Sequence, residues 1–187
     1  MSIEEALEWI HSRLKFNIRP GLSRVSALLE LLGHPEESLS MIHVAGTNGK
    51  GSTVAFTRSI FMHAGLKVAS FTSPFITTFG ERMSINALPI ADDKLIYYVE
   101  MIQPLVAELD KDAELTGITE FEIITAMAFK YFSDEQVDLA VIEVGLGGLL
   151  DSTNVIKTVV SGITTICLYH IDILGSTIEE ISAQKAG

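Results

Sequence analysis

A glycine-rich turn between an apolar run and a helical pattern is the feature that most constrains the fold of this chain. Residues 41–45 are mostly apolar and suit a β-strand, and residues 46–53 read Gly-Thr-Asn-Gly-Lys-Gly-Ser-Thr. Apolar residues then recur with helical spacing from Val54 to Met62. A strand, a tight turn and a helix in direct succession form one unit of an α/β fold. We therefore predict a buried strand that leads into a loop at the start of a helix.

The residue types in this turn suit the binding of phosphate groups. Glycines let backbone amides point at a ligand, a helix N-terminus attracts anions, and a lysine supplies a mobile ammonium. A hydroxyl of Ser52 or Thr53 can bind a magnesium ion. The turn therefore predicts a site for nucleotide phosphates. Its residues are Gly46, Thr47, Asn48, Gly49, Lys50, Gly51 and Ser52.

The spacing differs from that of the general phosphate loop, Gly-x-x-x-x-Gly-Lys-Ser/Thr. Only two residues separate Gly46 from Gly49, and Gly51 stands between the lysine and the first hydroxyl. A glycine-rich turn without a ligand is the alternative that the pattern leaves open.

Composition excludes several classes of protein. With 187 residues and 48% hydrophobic content, the chain can form one α/β domain with a full core. Mean hydropathy is +0.36, but no stretch reaches about 18 uninterrupted apolar residues, so we expect no membrane association. A net charge of −11 opposes binding to nucleic acid. The single cysteine, Cys167, suits a reducing compartment, and we expect a cytoplasmic monomer.

Capping patterns and turn residues divide the remaining chain into alternating helices and strands. Three Ser/Thr-x-x-Glu patterns, at Ser2–Glu5, Thr119–Glu122 and Thr177–Glu180, are typical of capping boxes and predict the starts of three helices. This alternation predicts a mainly parallel sheet with helices on both faces. The other predicted elements are helices over 23–32, capped by Ser23, and 92–109, strands over 67–73, 137–143 and 158–166, a hairpin over 85–90, and a loop over 15–21.

The predicted strand 137–143 ends in a carboxylate, Glu143. Ligands of parallel α/β sheets bind at the carboxyl ends of the strands, so we expect Glu143 to face the same crevice as Lys50. The segment 73–82 follows another strand end and shows no regular period. It is either a functional loop or a surface excursion.

The stretch 43–52 resembles the folylpolyglutamate synthase and dihydrofolate synthase family, relatives of the Mur cell-wall ligases. Further motifs that resemble the family cover almost the whole chain in the same order. They are Thr72-Ser73-Pro74-Phe75, Glu81-Arg82, Thr119-Glu120-Phe121-Glu122, Glu143-Val144-Gly145-Leu146-Gly147-Gly148, Asp151-Ser152-Thr153-Asn154-Val155, and His170 with Leu174-Gly175. The resemblance implies the P-loop-type central domain of a Mur ligase.

The resemblance also implies a reaction and its substrates. Family members use ATP to join L-glutamate to a carboxylate of folate or dihydropteroate through an acyl phosphate. They carry a further C-terminal domain that helps to bind glutamate, so residues 1–187 would be the N-terminal ATP-binding domain, inactive alone. The alternatives are a non-catalytic nucleotide-binding fragment and a Mur-type ligase acting on a cell-wall precursor.

By resemblance, the loop 46–52 would bind ATP phosphates, and Lys50 and His170 would be catalytic. Ser73, Glu143 and His170 would bind Mg²⁺. Taken singly, Ser73 could cap a turn, Glu143 could be a solvated acid and His170 could be a core histidine.

Three further residues take roles by resemblance alone. Lys185 would bind a second metal ion if carbamylated, although by itself it could be a solvated lysine. Phe75 and Arg82 would contact the substrate in the pterin pocket, since an aromatic ring can stack on a pterin and an arginine can meet a carboxylate.

Three departures from the family pattern put turnover in doubt. The family usually reads Gly-Leu-Asp-His where this chain has Cys167-Leu168-Tyr169-His170, which removes a carboxylate beside a proposed metal ligand. Such losses can weaken metal binding roughly 10 to 100-fold. Leu149-Leu150 stands where many members carry a polar residue, and Gln184 stands where an acid is common.

Overall fold

A computed structural model describes residues 1–16 and 20–187. The predicted loop 15–21 includes residues 17–19, which lie outside the described residues. The helices are α1 (Ile3–His11), α2 (Ser23–Leu31), α3 (Lys50–His63), α4 (Asp92–Leu109), α5 (Glu120–Asp134), α6 (Ile171–Leu174) and α7 (Ile178–Ala186). Short 3₁₀ turns cover Ser12–Phe16, Pro35–Ser38 and Phe79–Arg82. The strands are β1 (Met41–Ala45), β2 (Val68–Phe71), β3 (Met83–Ile85), β4 (Leu88–Pro89), β5 (Leu139–Glu143) and β6 (Val160–Ile163).

One mixed sheet organises the molecule, with the strand order β4-β3-β2-β5-β1-β6. The four strands β2, β5, β1 and β6 run parallel, and β3 and β4 add an antiparallel hairpin. The mainly parallel sheet is therefore confirmed. β1 lies between β5 and the edge strand β6, and in its register with β5 Val44 stands opposite Glu143.

Helices cover both faces of this sheet. Residues on one face of the strands, such as Met41 and Ile142, join a large core with α1, α2, α4 and α5. Residues on the other face, such as Val141, pack with Val54 of α3 in a smaller core. Because both faces are buried, the central strands are apolar almost throughout, as is typical of parallel sheets.

The capping boxes at Ser2, Thr119 and Thr177 are all present, each with its glutamate three residues later. The prediction that Ser23 caps α2 is wrong. Leu22 occupies the N-cap position in a helical conformation, without a side-chain cap hydrogen bond. The chain therefore turns into the helix before it reaches the hydroxyl, and Ser23 becomes the first helical residue.

Two predicted strands are shorter than their apolar runs. Strand β2 ends at Phe71, so Ser73 lies in the loop that follows. The predicted strand 158–166 reduces to Val160–Ile163 at the sheet edge, where all four residues are exposed. Apolar composition predicts a strand but does not indicate its place in the sheet.

Candidate functional site

The phosphate loop joins the end of β1 to the start of α3. Gly49 forms the N-cap of α3 with φ of +82°, and Lys50 is the first helical residue. Gly46 has φ of +142°, and a Cβ built on it would lie 1.9 Å from Thr164 Oγ1. The backbone at Gly46 lies so close to Thr164, and has a φ so rarely adopted by other residues, that glycine is required at position 46.

Backbone and hydroxyl contacts attach the loop to the segment just after β6. The Thr47 amide donates to the Thr165 carbonyl across 2.8 Å, and the Asn48 amide donates to Thr165 Oγ1 across 3.0 Å. Thr164 Oγ1 donates to the Asn48 carbonyl across 2.7 Å. The Cys167 amide donates to Thr47 Oγ1 across 3.1 Å. The amides of Thr47 and Asn48 are thus engaged within the chain, which holds the loop in one shape.

Lys50 and Glu143 face each other across the crevice between the ends of β1 and β5. Lys50 Nζ lies 3.9 Å from Glu143 Oε1, and the Ser73 amide donates to Glu143 Oε2 across 3.2 Å. Burial raises the pKa of Glu143 above its ordinary value, and the Ser73 amide and Lys50 partly oppose this rise. The expectation that Lys50 and Glu143 share one crevice is confirmed, and Glu143 is a buried acid rather than a solvated one.

His170 and Lys185 lie beside the same loop. Together with Lys50 and Gly46 they line a small cavity of about 50 Å³. Lys185 Nζ donates to the Gly46 carbonyl across 2.9 Å, and burial, followed by the charge of Lys50, lowers the pKa of Lys185. Lys185 is therefore a buried lysine that joins α7 to the loop, not a solvated one. His170 is exposed, so it is not a core histidine.

Tyr169, the residue that departs from the family pattern, packs against His170. The two rings meet edge to face with centroids 4.3 Å apart, and Tyr169 is 60% exposed. In the described parts of the chain, no three His, Cys, Asp or Glu side chains gather as a metal-binding group.

A larger cleft of about 640 Å³ opens beside the crevice. Arg82 and Ser73 both line it, and the Arg82 guanidinium lies 5.3 Å from the ring centre of Phe75 and 3.9 Å from Glu120 Oε1. Burial lowers the pKa of Arg82, whereas Glu120 acts in the opposite direction. Its Nε is buried without a hydrogen-bond partner among the described residues. Phe75 supports Arg82 but is not among the residues that line the cleft.

The glycine turn 145–148 forms a wall of the site, a role that the sequence motifs did not indicate. Gly145, Leu146 and Gly147 line both the small cavity and the cleft. A Cβ on Gly145 would lie 2.5 Å from Phe121 Cζ, and one on Gly148 would lie 2.6 Å from the Gln184 carbonyl. The sequence carried a signal for this wall, since three glycines follow soon after the strand-end carboxylate Glu143. Glycines allow the backbone to approach other groups closely.

No helix within residues 1–16 and 20–187 has both the length and the apolar character that a bilayer crossing requires. No protein-family model matches the chain. Individual proteins and solved structures do match it, at high identity.

Two curated relatives match almost all of the chain. The dihydrofolate synthase/folylpolyglutamate synthase of Bacillus subtilis is 51% identical over 185 residues, which cover 98% of this chain and 43% of the relative. The folylpolyglutamate synthase of Lacticaseibacillus casei is 42% identical, over all of this chain and 44% of the relative. The chain thus spans less than half the length of these relatives.

Solved structures of the same kind share the fold. A structure described as an FPGS–AMPPCP complex superposes with a TM-score of 0.93 at 43% identity and covers 100% of this chain and 45% of its own. An FPGS–AMPPCP–folate complex gives 0.92 at 42% identity, with 100% and 46% covered. The phosphate loop, the strand-end acid and these matches agree, and the chain belongs to the folylpolyglutamate synthase/dihydrofolate synthase family.

Proposed function

We propose that this chain is the N-terminal ATP-binding domain of a ligase that adds L-glutamate to folate or dihydropteroate. A carboxylate oxygen of the acceptor would attack the γ-phosphorus of ATP, and ADP would leave. The glutamate amine would then attack the resulting acyl phosphate, form the amide and release phosphate. The C-terminal part of such a ligase would help to bind glutamate.

The observation that carries this proposal is the crevice between Lys50 and Glu143, with the cleft directly beside it. A phosphate donor and a carboxylate acceptor need neighbouring sites, and the turn 145–147, together with Leu174, lines both cavities. Relatives with this fold have been solved with AMPPCP and with folate. These complexes support a nucleotide and a folate as the two ligands, and the chemistry of the loop and the cleft suits them respectively.

Different parts of the loop would make different contacts with a triphosphate. Residues 46–52 surround the phosphates, and the start of α3 adds the electropositive end of a helix. Lys50 is the mobile cation. Its charge would neutralise the negative charge that develops on the transferred phosphoryl group, which is the main need of phosphoryl transfer.

The residues beside Lys50 suit a magnesium ion. Glu143 is a buried carboxylate whose raised pKa reflects poor solvation, and a cation would relieve that cost. Ser73 and His170 complete the proposed ligand set, with water at the remaining positions. An ion held there would supply positive charge that offsets the charge of the phosphates. Lys185 could join a second metal site only if carbamylation replaced its contact with the Gly46 carbonyl.

The cleft suits an elongated folate or pteroate. The cleft is lined by Arg82, whose guanidinium lies over the ring of Phe75 and has one nitrogen unpaired among the residues described, so it can bind a carboxylate. Apolar residues such as Leu146 and Ile173 also line the cleft and can contact an aromatic ring. We propose a monomer in the cytoplasm that acts on these small molecules.

The isolated chain should bind nucleotide weakly and should not ligate. Calorimetric titration with Mg-ATP tests the first statement. Lys50→Ala should weaken binding about tenfold or more, because it removes a charge-assisted contact to phosphate. Lys157→Ala, at an exposed lysine, is the matched control and should bind as the parent does. Equal affinity of the parent and Lys50→Ala would refute the proposed phosphate site.

Thermal-shift measurements separate the alternatives. Stabilisation by pteroate or folate in the presence of nucleotide supports the folate ligase. Stabilisation by a peptidoglycan precursor instead would favour a Mur-type ligase, and a response to ATP alone would favour a non-catalytic nucleotide-binding fragment.

A further inference from the structure

A buried histidine on β1 is connected to the wall of the cleft. His43 Nε2 lies 2.8 Å from Thr153 Oγ1, and that hydroxyl donates to Asp151 Oδ1 across 2.5 Å. His43 and Asp151 are 8% and 6% exposed, and Thr153 is fully buried. Such a chain of short hydrogen bonds in a dry environment holds its members in one geometry.

Only one arrangement of protons satisfies both hydrogen bonds of this series. The carboxylate of Asp151 has acceptors alone, so the Thr153 hydroxyl must donate to it. The hydroxyl is then an acceptor toward His43, whose Nε2–H must donate. Burial lowers the pKa of His43, the charge of Asp151 opposes this shift, and the hydrogen bond to Thr153 selects the tautomer that carries the Nε2 proton.

Asp151 in turn holds the glycine turn. Its Oδ2 accepts the Leu146 amide across 2.8 Å, and its Oδ1 also accepts the Thr153 amide across 3.0 Å. A Cβ on Gly145 would lie 3.1 Å from Asp151 Oδ2, so the backbone lies directly against the carboxylate. The position of the turn therefore depends on how this carboxylate is oriented.

We propose that His43 is a positioning residue that, through Thr153 and Asp151, fixes the turn separating the small cavity from the cleft. Gly145, Leu146 and Gly147 face both cavities, so a shift of this turn would change both at once. The inference rests on the proposed function only where it treats these cavities as the nucleotide and folate sites.

A hydrogen-bond donor is needed at position 43 because the buried hydroxyl of Thr153 donates to Asp151 and must itself accept a hydrogen bond. An apolar residue at position 43 would leave that oxygen short of one partner, and a buried group that loses a partner bears a desolvation penalty. The hydroxyl could then reorient, and its hold on Asp151 would weaken. A glutamine can still donate from its amide nitrogen.

Amide hydrogen exchange, measured by NMR on the chain without ligand, tests the inference. Thr153→Val keeps the shape and removes the hydroxyl, whereas Thr153→Ser keeps the hydroxyl. The Leu146 amide should exchange about tenfold faster in Thr153→Val and stay within about twofold of the parent in Thr153→Ser. The second pair, His43→Leu and His43→Gln, should differ in the same way. The Ile142 amide in β5 reports on general stability and should not change.

Unchanged exchange at Leu146 in Thr153→Val and His43→Leu would overturn the inference. Equal acceleration at Leu146 and Ile142 would also overturn it, because that result indicates general loss of stability. If Thr153→Val fails to fold, the His43 pair decides the question. No ligand is present, so the outcome does not depend on whether the chain binds ATP or folate.

Discussion

Replacement of Gly46 by alanine should destabilise the protein strongly, because the structure leaves no room at this position. The new Cβ would lie 1.9 Å from Thr164 Oγ1 and 3.1 Å from the Thr164 backbone nitrogen. Overpacking of this kind costs about 1–3 kcal/mol. A side chain at positive φ adds about 1–2 kcal/mol. We therefore expect Gly46→Ala to lower the free energy of unfolding by about 2–5 kcal/mol.

Urea unfolding followed by Trp9 fluorescence measures this loss. Gly162→Ala is the matched control, since a Cβ there meets no atom within 4 Å. It should change stability by less than about 0.5 kcal/mol. In a Thr164→Ala background the clashing hydroxyl is absent, so the cost of Gly46→Ala should fall by about 1 kcal/mol. If Gly46→Ala costs no more than Gly162→Ala, the close approach of the loop to Thr164 is wrong.

Three further predictions concern other parts of the molecule. Burial lowers the pKa of His43 below its ordinary 6.5, so the unfolded chain binds a proton that the folded chain does not. Stability should therefore fall as pH drops below about 6.5, and His43→Gln should flatten this fall in urea titrations from pH 7.5 to 5. Thr119→Ala removes a cap that also donates to Glu122, and should cost about 1 kcal/mol in thermal unfolding. Arg82→Lys keeps the charge but loses the planar contact with Phe75, so folate should bind several-fold more weakly in calorimetry while Mg-ATP binding stays the same.

Local patterns in the sequence predicted much of this fold. The three capping boxes place the starts of α1, α5 and α7 because the signal lies within four residues. The pairing of Lys50 with Glu143 followed from a general rule about strand ends. These features could be predicted without knowing the long-range contacts of the fold.

The remaining features depend on long-range contacts that no local pattern encodes. Strand β6 reads as apolar, yet its position at the edge depends on how strands are ordered. His43 meets Thr153 across 110 positions of sequence. Part of that network could be predicted, because the Asp151 side chain accepts the Thr153 amide two residues later, a local turn that aspartate commonly forms.

The attachment of the phosphate loop to the residues after β6 has a consequence for its dynamics. Within the described chain, β6 pairs on one side only, with β1, and edge strands are the first part of a sheet to fray. If fraying extends to Thr165, the hydrogen bonds from the Thr47 and Asn48 amides break and the phosphate loop becomes more mobile. A bound nucleotide should therefore stabilise the edge strand and slow amide exchange in β6 more than in β5. By the same coupling, an ordered β6 should favour nucleotide binding.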